Sequence, residues 1–155
     1  MTPYRVAPDA PCLSDLLSLI RDSFAYMDAR IDPPSSMHRL TVADLSRHAS
    51  NGEIWAIGDP VLACVILTDK PDALYLGKMA VAPTARGQGM SRQLVQIAET
   101  RARDKGLSAL ELQTRVELVE NHATFARLGF VEVGRTAHAG YDRPTSITMR
   151  KPVAD

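Results

Sequence analysis

The sequence has few of the residues and patterns that mark extracellular, membrane or metal-binding proteins. It contains only two cysteines, Cys12 and Cys64, which form neither a disulfide framework nor a metal-ligand spacing. No stretch approaches the roughly 18 apolar residues of a membrane span, and the first residues lack the basic segment and apolar run of a signal peptide. We therefore expect a cytoplasmic protein with two unreactive thiols and no metal site.

The sequence also lacks an excess of either charge. Lys and Arg total 18 and Asp and Glu total 18, so the formal net charge is zero. A neutral chain is not attracted as a whole to nucleic acid or to a membrane surface. Residues 86–105 differ, because they hold five cations and two anions, a local charge of +3. This segment is where an anionic ligand is expected.

The patterning predicts an α/β fold with a mixed sheet. The length of 155 residues suits one domain over residues 1–155. Period-two and period-3.6 segments give the order strand, two helices, three strands, helix, strand, helix, two strands. The predicted strands cover residues 4–6, 53–58, 61–68, 73–81, 107–114, 130–136 and 145–150, and the predicted helices begin near Asp9, Thr41, Gly89 and Val119.

Local signals support several of these boundaries. Asp9 is placed to cap the first helix, and Leu13 to Met27 continue at helical spacing. Thr41-Val42-Ala43-Asp44 resembles a capping box. Gly77 lies inside a long strand, which predicts a β-bulge or a close approach of another backbone.

One strand–turn–helix segment carries most of the functional information. A strand ends at Met79-Ala80-Val81, and the turn Arg86-Gly87-Gln88-Gly89 opens an amphipathic helix. The first N–H groups of a helix have no internal partner and favour an anion. The two glycines let the backbone approach a ligand closely, and Arg86 adds a permanent positive charge. The segment therefore predicts a phosphate or diphosphate site built mainly from main-chain amides.

Known phosphate loops fit this turn poorly. A P-loop needs a lysine directly after its last glycine, which Gly89 lacks. A dinucleotide fingerprint needs three glycines after the first strand of its unit, whereas this turn has two and follows three strands. From these residues alone, a strand–helix turn that binds no ligand is an equally good interpretation.

The turn resembles the acyl-CoA signature of the GNAT superfamily of N-acetyltransferases. That signature is Arg/Gln-x-x-Gly-x-Gly/Ala, and Arg86-Gly87-Gln88-Gly89-Met90-Ser91 matches it except at the last place. The preceding Met79-Ala80-Val81-Ala82-Pro83, the helix segment Gln93-Leu94-Val95 and the distal Phe125-Ala126-Arg127-Leu128-Gly129-Phe130 follow in family order. The order of predicted elements is also similar over the whole chain.

The resemblance implies a fold and an acetyl-CoA site. The fold is a mixed, mostly antiparallel sheet of about six or seven strands with about four helices, splayed between the fourth and fifth strands. Backbone amides of the turn hold the diphosphate, and the strand edge at residues 79–81 pairs with the pantetheine arm and polarises the thioester carbonyl. The implied CoA-binding residues are Met79, Ala80, Val81, Arg86, Gly87, Gln88, Gly89, Met90, Ser91, Asn121 and Phe125.

The chain departs from the family pattern at two positions. Ser91 replaces a small Gly or Ala, a change we expect to be harmless. Phe125 stands where many relatives carry the tyrosine that protonates the departing thiolate, and phenylalanine cannot donate a proton. We predict that Tyr141 replaces this acid; solvent protonation and loss of catalysis are the alternatives.

The acceptor site is less well defined by the sequence. Direct attack by an amine needs a general base, and Glu111 and His138 are the main candidates, with His38 weaker. In this fold the link between the first two helices lines the acceptor pocket, so Arg30 and Asp32 are candidates to bind charged groups of the acceptor. Tyr26, Trp55 and His138 complete the predicted acceptor-binding residues.

Taken with the resemblance, the sequence predicts an N-acetyltransferase that acts on a small-molecule amine. The resemblance alone favours a homodimer. The alternative from another class is a non-catalytic acyl-CoA sensor, which Phe125 supports, and a weaker alternative is an unrelated nucleotide-binding protein.

Overall fold

The computed structural model describes residues 1–25, 27–35 and 39–154. The described helices are α1 (Leu13–Ala25), α2 (Val42–Asn51), α3 (Met90–Asp104) and α4 (Val119–Arg127), with short 3-10 turns at Asp28–Arg30 and Pro83–Ala85. The strands are β1 (Tyr4–Arg5), β2 (Glu53–Ile57), β3 (Ala63–Asp69), β4 (Leu74–Val81), β5 (Ala109–Arg115), β6 (Val131–Thr136) and β7 (Ser146–Pro152).

The strands form one seven-stranded sheet in the order β1-β2-β3-β4-β5-β7-β6. All neighbours are antiparallel except β4 and β5, which run parallel. The predicted mixed, mostly antiparallel fold with four helices is confirmed. A parallel neighbour requires a crossover connection, and α3 supplies it between β4 and β5.

The helix boundaries confirm one local signal and correct another. Thr41 caps α2, its hydroxyl accepting from the Asp44 amide while the Asp44 carboxylate accepts from the Thr41 amide. Helix α1, however, begins at Leu13 instead of near Asp9. Residues 7–13 form turns in which the amide of Leu13 bonds the carbonyl of Ala10, so Asp9 lies too far upstream to cap the helix.

The sheet separates two apolar clusters. Helix α3 packs on one face through Met90, Leu94, Val95, Ala98 and Ala102, and α1 and α2 pack on the other. Cys64 is fully buried in the second cluster, and burial raises the pKa of its thiol to about 12. This thiol is therefore protonated at neutral pH, as expected of an unreactive core cysteine.

Strands β4 and β5 separate soon after they meet. Their pairing is limited to Leu74 with Leu110 and Tyr75 with Glu111. Beyond that point a β-bulge next to Gly77 inserts one extra residue into β4, and Lys78 within it has a φ of +51°. The bulge predicted from Gly77 is present, and the splay leaves the second half of β4 unpaired towards β5.

None of the helices in the described parts of the chain is long and apolar enough to cross a membrane. The same residues contain no group of three His, Cys, Asp or Glu side chains that could hold a metal ion.

Candidate functional site

A cavity of about 430 Å³ lies at the start of α3. The turn that forms its floor contains Gly87 and Gly89, with φ angles of +77° and +78°. Residues with a side chain rarely adopt this left-handed backbone conformation, so glycine is required for the turn. A Cβ atom built on either glycine would meet nothing within 4 Å, which shows that the space in front of the turn is open.

The main-chain donors of α3 face this space without a side-chain cap. Gly89 is the cap residue and has no side chain to bond the first amides of the helix. These amides have no partner inside the helix, and the helix dipole adds partial positive charge at the same end. Because Arg86 also lines the cavity, this end of the cavity suits a diphosphate.

The structure brings together nearly all of the predicted CoA-binding residues. Strand β4 contributes one wall and α4 the opposite wall. Gln88 is the exception, because it does not line the cavity and its side-chain amide donates to the carbonyl of Thr84 at 3.3 Å. The predicted residues that line the larger cavity are Met79, Ala80, Val81, Arg86, Gly87, Gly89, Met90, Ser91, Asn121 and Phe125.

A smaller cavity of about 290 Å³ continues from the larger one into the gap between β4 and β5. The two cavities share a ring of wall residues, namely Phe24, Met27, Met79, Asn121 and Phe125. The far walls of the smaller cavity come from both separated strands and from residues 31 and 35 of the loop after α1. A ligand in each cavity would therefore meet its neighbour beside Met79 and Phe125.

His138 lines the smaller cavity and is held by Thr145. The buried Thr145 hydroxyl accepts from the His138 amide at 2.8 Å and lies 2.5 Å from its ring Nδ1. The same hydroxyl donates to the carbonyl of Thr136 at 3.4 Å. A hydroxyl has one proton, so with that proton on Thr136 the ring donates from Nδ1 and its Nε2 keeps a lone pair.

The predicted loop residues lie outside both cavities. Arg30 forms a two-point ion pair with Glu120 of α4, and its second bond is 2.9 Å long. Asp32 accepts from the hydroxyl of Tyr141 at 2.5 Å and from Arg143 at 3.4 Å. These pairs fasten the loop to α4 and to the segment before β7. The predicted Tyr26 and His38 lie outside the described residues.

Tyr141 is not placed to serve as the acid. Its hydroxyl bonds Asp32, and this bond raises the pKa of the phenol above its usual range. Tyr141 lines neither cavity. Its hydroxyl instead holds the loop after α1, together with Arg143.

Glu111 and Trp55 are also engaged elsewhere. Burial would raise the pKa of Glu111, but bonds from Lys70 at 2.7 Å and Arg150 at 3.0 Å outweigh it and lower the pKa. Trp55 donates its Nε1–H to Glu53 at 2.9 Å and packs against the α3 cluster. Neither residue lines either of these two cavities, so the structure does not place Glu111 as a base or Trp55 as a wall there.

The sequence reasoning missed Tyr75 and Lys78, which both line the smaller cavity. The ring of Tyr75 lies along the strand beside Gly77, where an added Cβ would be 3.5 Å from its Cε1 atom. This distance is an ordinary van der Waals contact, so the ring packs beside Gly77 without requiring glycine there. The strand pattern could have identified Tyr75, since residues two apart share a face and Met79 was already predicted. The bulge changes this pattern for Lys78.

Comparisons with known proteins agree with this geometry. A model of the Acetyltransferase (GNAT) family matches residues 14–130. An IAA acetyltransferase from Azospirillum brasilense is 29% identical over 150 residues, covering 96% of this chain and 97% of that protein.

Solved structures share the fold at low identity. An aminoglycoside 6'-N-acetyltransferase complexed with coenzyme A superposes with a TM-score of 0.77 at 14% identity, covering 100% of this chain and 98% of that one. An IAA acetyltransferase from Bacillus cereus ATCC 14579 gives 0.67 at 18% identity, covering 97% and 98%. With the family model spanning most of the sequence, the chain belongs to the Acetyltransferase (GNAT) family and is an acyltransferase.

Proposed function

We propose that this protein transfers an acetyl group from acetyl-CoA to the amine of a small molecule by direct attack. The observation that carries the proposal is the continuity of the two cavities at Met79 and Phe125. One cavity ends in main-chain donors suited to a diphosphate, and the other opens between the separated strands. Two reactants held this way meet without a covalent enzyme intermediate, and catalysis gains from their proximity.

Acetyl-CoA supplies the activated acetyl group in this reaction. The amides at the start of α3 and the charge of Arg86 would hold its diphosphate, as helix starts commonly do for phosphates. Asn121 and Phe125 would close the opposite side. The fit is supported by the open space before Gly87 and Gly89 and by a helix start that lacks a side-chain cap.

The second half of β4 would guide the pantetheine arm. Its pairing with β5 stops at Tyr75, so residues further along present main-chain groups towards the gap. An extended ligand can add to such an edge as a strand does. An amide beside the thioester carbonyl would also stabilise the negative charge that develops on its oxygen.

His138 is our proposed general base. With Nδ1–H donated to Thr145, the ring Nε2 can accept a proton from the acceptor ammonium, and the freed nitrogen attacks the carbonyl carbon. The carbon–sulfur bond then breaks, and the new amide nitrogen loses its remaining extra proton to solvent. The thiolate takes a proton from solvent or from the imidazolium, since Phe125 has none to give and the Tyr141 hydroxyl is held by Asp32.

The size of the smaller cavity favours a small acceptor over a peptide tail. Its volume of about 290 Å³ is at the lower end of the range of about 300–1,000 Å³ typical of small-molecule pockets. The aminoglycoside acetyltransferase with the same fold acts, by its name, on a small molecule. We also infer that residues 1–155 form one domain, because one sheet includes strands from Tyr4 to Pro152.

Calorimetry combined with a thiol-release assay tests the proposal. We expect acetyl-CoA to bind and CoA to be released in the presence of at least one small amine. Binding without release on any amine of a broad panel would favour the sensor that Phe125 suggests. Binding of ATP or NAD in preference to acetyl-CoA would identify the chain's ligand as another nucleotide.

A further inference from the structure

The smaller cavity has an unbalanced charge. Its described lining residues include two basic side chains, Lys78 and Arg115, and one histidine, His138, but no Asp or Glu. Among carboxylates on adjoining segments, Glu120 is engaged by Arg30 and Asp32 by Tyr141 and Arg143, while Glu117, next to the lining Leu118, accepts from the Asp32 amide. Any acceptor that enters therefore meets positive charge that no lining carboxylate compensates.

Lys78 is the main source of this imbalance. It lies in the β4 bulge and is partly shielded from solvent. Among the described residues, its ammonium has no hydrogen bond or ion pair. Burial lowers the pKa of Lys78, although the charge of Asp44 on α2 partly offsets this effect. A carboxylate on a ligand in the cavity would supply the partner that this partly shielded ammonium lacks.

Arg115 has a different set of partners. Its guanidinium donates to the carbonyl of Pro33 at 2.6 Å and to that of Pro34 at 3.5 Å. These bonds hold the loop after α1 over the cavity, but a carbonyl does not neutralise a charge. Arg115 therefore adds positive potential to the cavity while it positions the loop.

From this charge pattern we propose that the acceptor is an amine that also carries a carboxylate, which pairs with the ammonium of Lys78. The proposal rests on the function proposed above, because it names the acceptor class of that site. The remaining walls include the apolar side chains of Phe24, Met27, Ile31 and Leu118, so the acceptor carries an apolar side chain as well. The positive charge of Lys78 and Arg115 would repel a polycationic amine.

The test measures charge recognition without turnover. N-acetylphenylalanine and its neutral amide, N-acetylphenylalaninamide, are titrated into the CoA-loaded protein by calorimetry. Both probes have the same shape, so their affinity ratio isolates the carboxylate. A hydrogen bond to a charged group contributes about 1.5–3 kcal/mol, so the acid should bind about 10-fold to 100-fold more tightly.

Three variants complete the design. Lys78→Met should bring the affinity ratio close to one, and Lys78→Arg should keep most of it. Arg103→Met removes the same charge from an exposed position on α3 and should keep the wild-type ratio. An unchanged CoA affinity in each variant shows that the fold is intact.

Equal affinities for the two probes in the wild-type protein would overturn the proposal, as would binding of neither probe or an unchanged ratio in Lys78→Met. Thiol release is measured separately with phenylalanine as acceptor. Discrimination between the probes without any release would leave the anion site standing and refute transfer. Release of CoA without discrimination between the probes would support transfer and refute the anion site.

Discussion

Glu53 is predicted to stabilise the attachment of α3 to the sheet. Its carboxylate lies at the start of β2 with its side chain only 3% exposed. It accepts from Arg101 at 2.8 and 3.0 Å and from Trp55 at 2.9 Å. Helix α3 supplies the amides proposed to hold the diphosphate. Glu53→Gln therefore tests a contact that holds this helix on the sheet, away from the diphosphate site itself.

The pKa of Glu53 sets the expected size of the effect. Burial alone would raise this pKa, but the bonds from Arg101 and Trp55 outweigh it and lower the pKa from 4.5 to about 2. At about 1.36 kcal/mol per pKa unit, the ionised group contributes about 3 kcal/mol to folding stability. A depressed carboxyl pKa means that this contribution is complete above pH 4.5 and is lost as the pH falls towards 2.

Urea unfolding of the wild type and Glu53→Gln between pH 7 and pH 3 measures this contribution. The difference in unfolding free energy should be about 3 kcal/mol at pH 7 and about 1 kcal/mol at pH 3. Glu132→Gln is the control, since Glu132 pairs with Arg135 on an exposed strand and should show no comparable effect. A difference for Glu53→Gln that does not change with pH would show that ionisation of Glu53 does not stabilise the fold.

Further variants test the acceptor side of the site. Tyr141→Phe and Asp32→Ala remove the same bond, so both should raise KM for the acceptor more than they lower kcat; a large loss of kcat in Tyr141→Phe alone would restore Tyr141 as the acid. Thr145→Val removes the hydroxyl that orients His138 and should lower kcat by about 10-fold to 100-fold, approaching the loss in His138→Gln while CoA affinity is kept. If Thr145→Val turned over at the wild-type rate, His138 would not need that hydroxyl to act as base.

Much of the fold could be predicted because its signals are local. Thr41 and Asp44 lie three residues apart and cap α2 by contacts within that span. Gly87 and Gly89 mark a turn that only glycine forms easily, directly before an amphipathic helix. The turn preceding α1 was harder, since Asp9 has the chemistry of a cap but two further turns delay the helix to Leu13.

The acceptor site could not be predicted to the same depth, because its geometry depends on distant partners. Arg30 finds Glu120, 90 positions away, and Asp32 finds Tyr141, 109 positions away. Nothing in a local pattern indicates that these side chains pair with each other and therefore lie outside the two cavities. Lys78 was missed for another reason, since the bulge shifts the alternation of side chains along β4.

Amides at the start of α3 are proposed to hold the diphosphate of acetyl-CoA. Gly89→Trp fills the open space in front of them, and Gly106→Trp is a matched control at the other end of α3. Both glycines have positive φ, at +78° and +71°, and both face open space. Each substitution should therefore cost a similar backbone strain of about 1–3 kcal/mol.

Calorimetry with acetyl-CoA on these two variants is the most direct test. Gly89→Trp should weaken binding by at least about 100-fold, because two or more charge-assisted bonds are lost, while Gly106→Trp should bind like the wild type. Equal affinities in the two variants would show that the diphosphate does not bind at the start of α3.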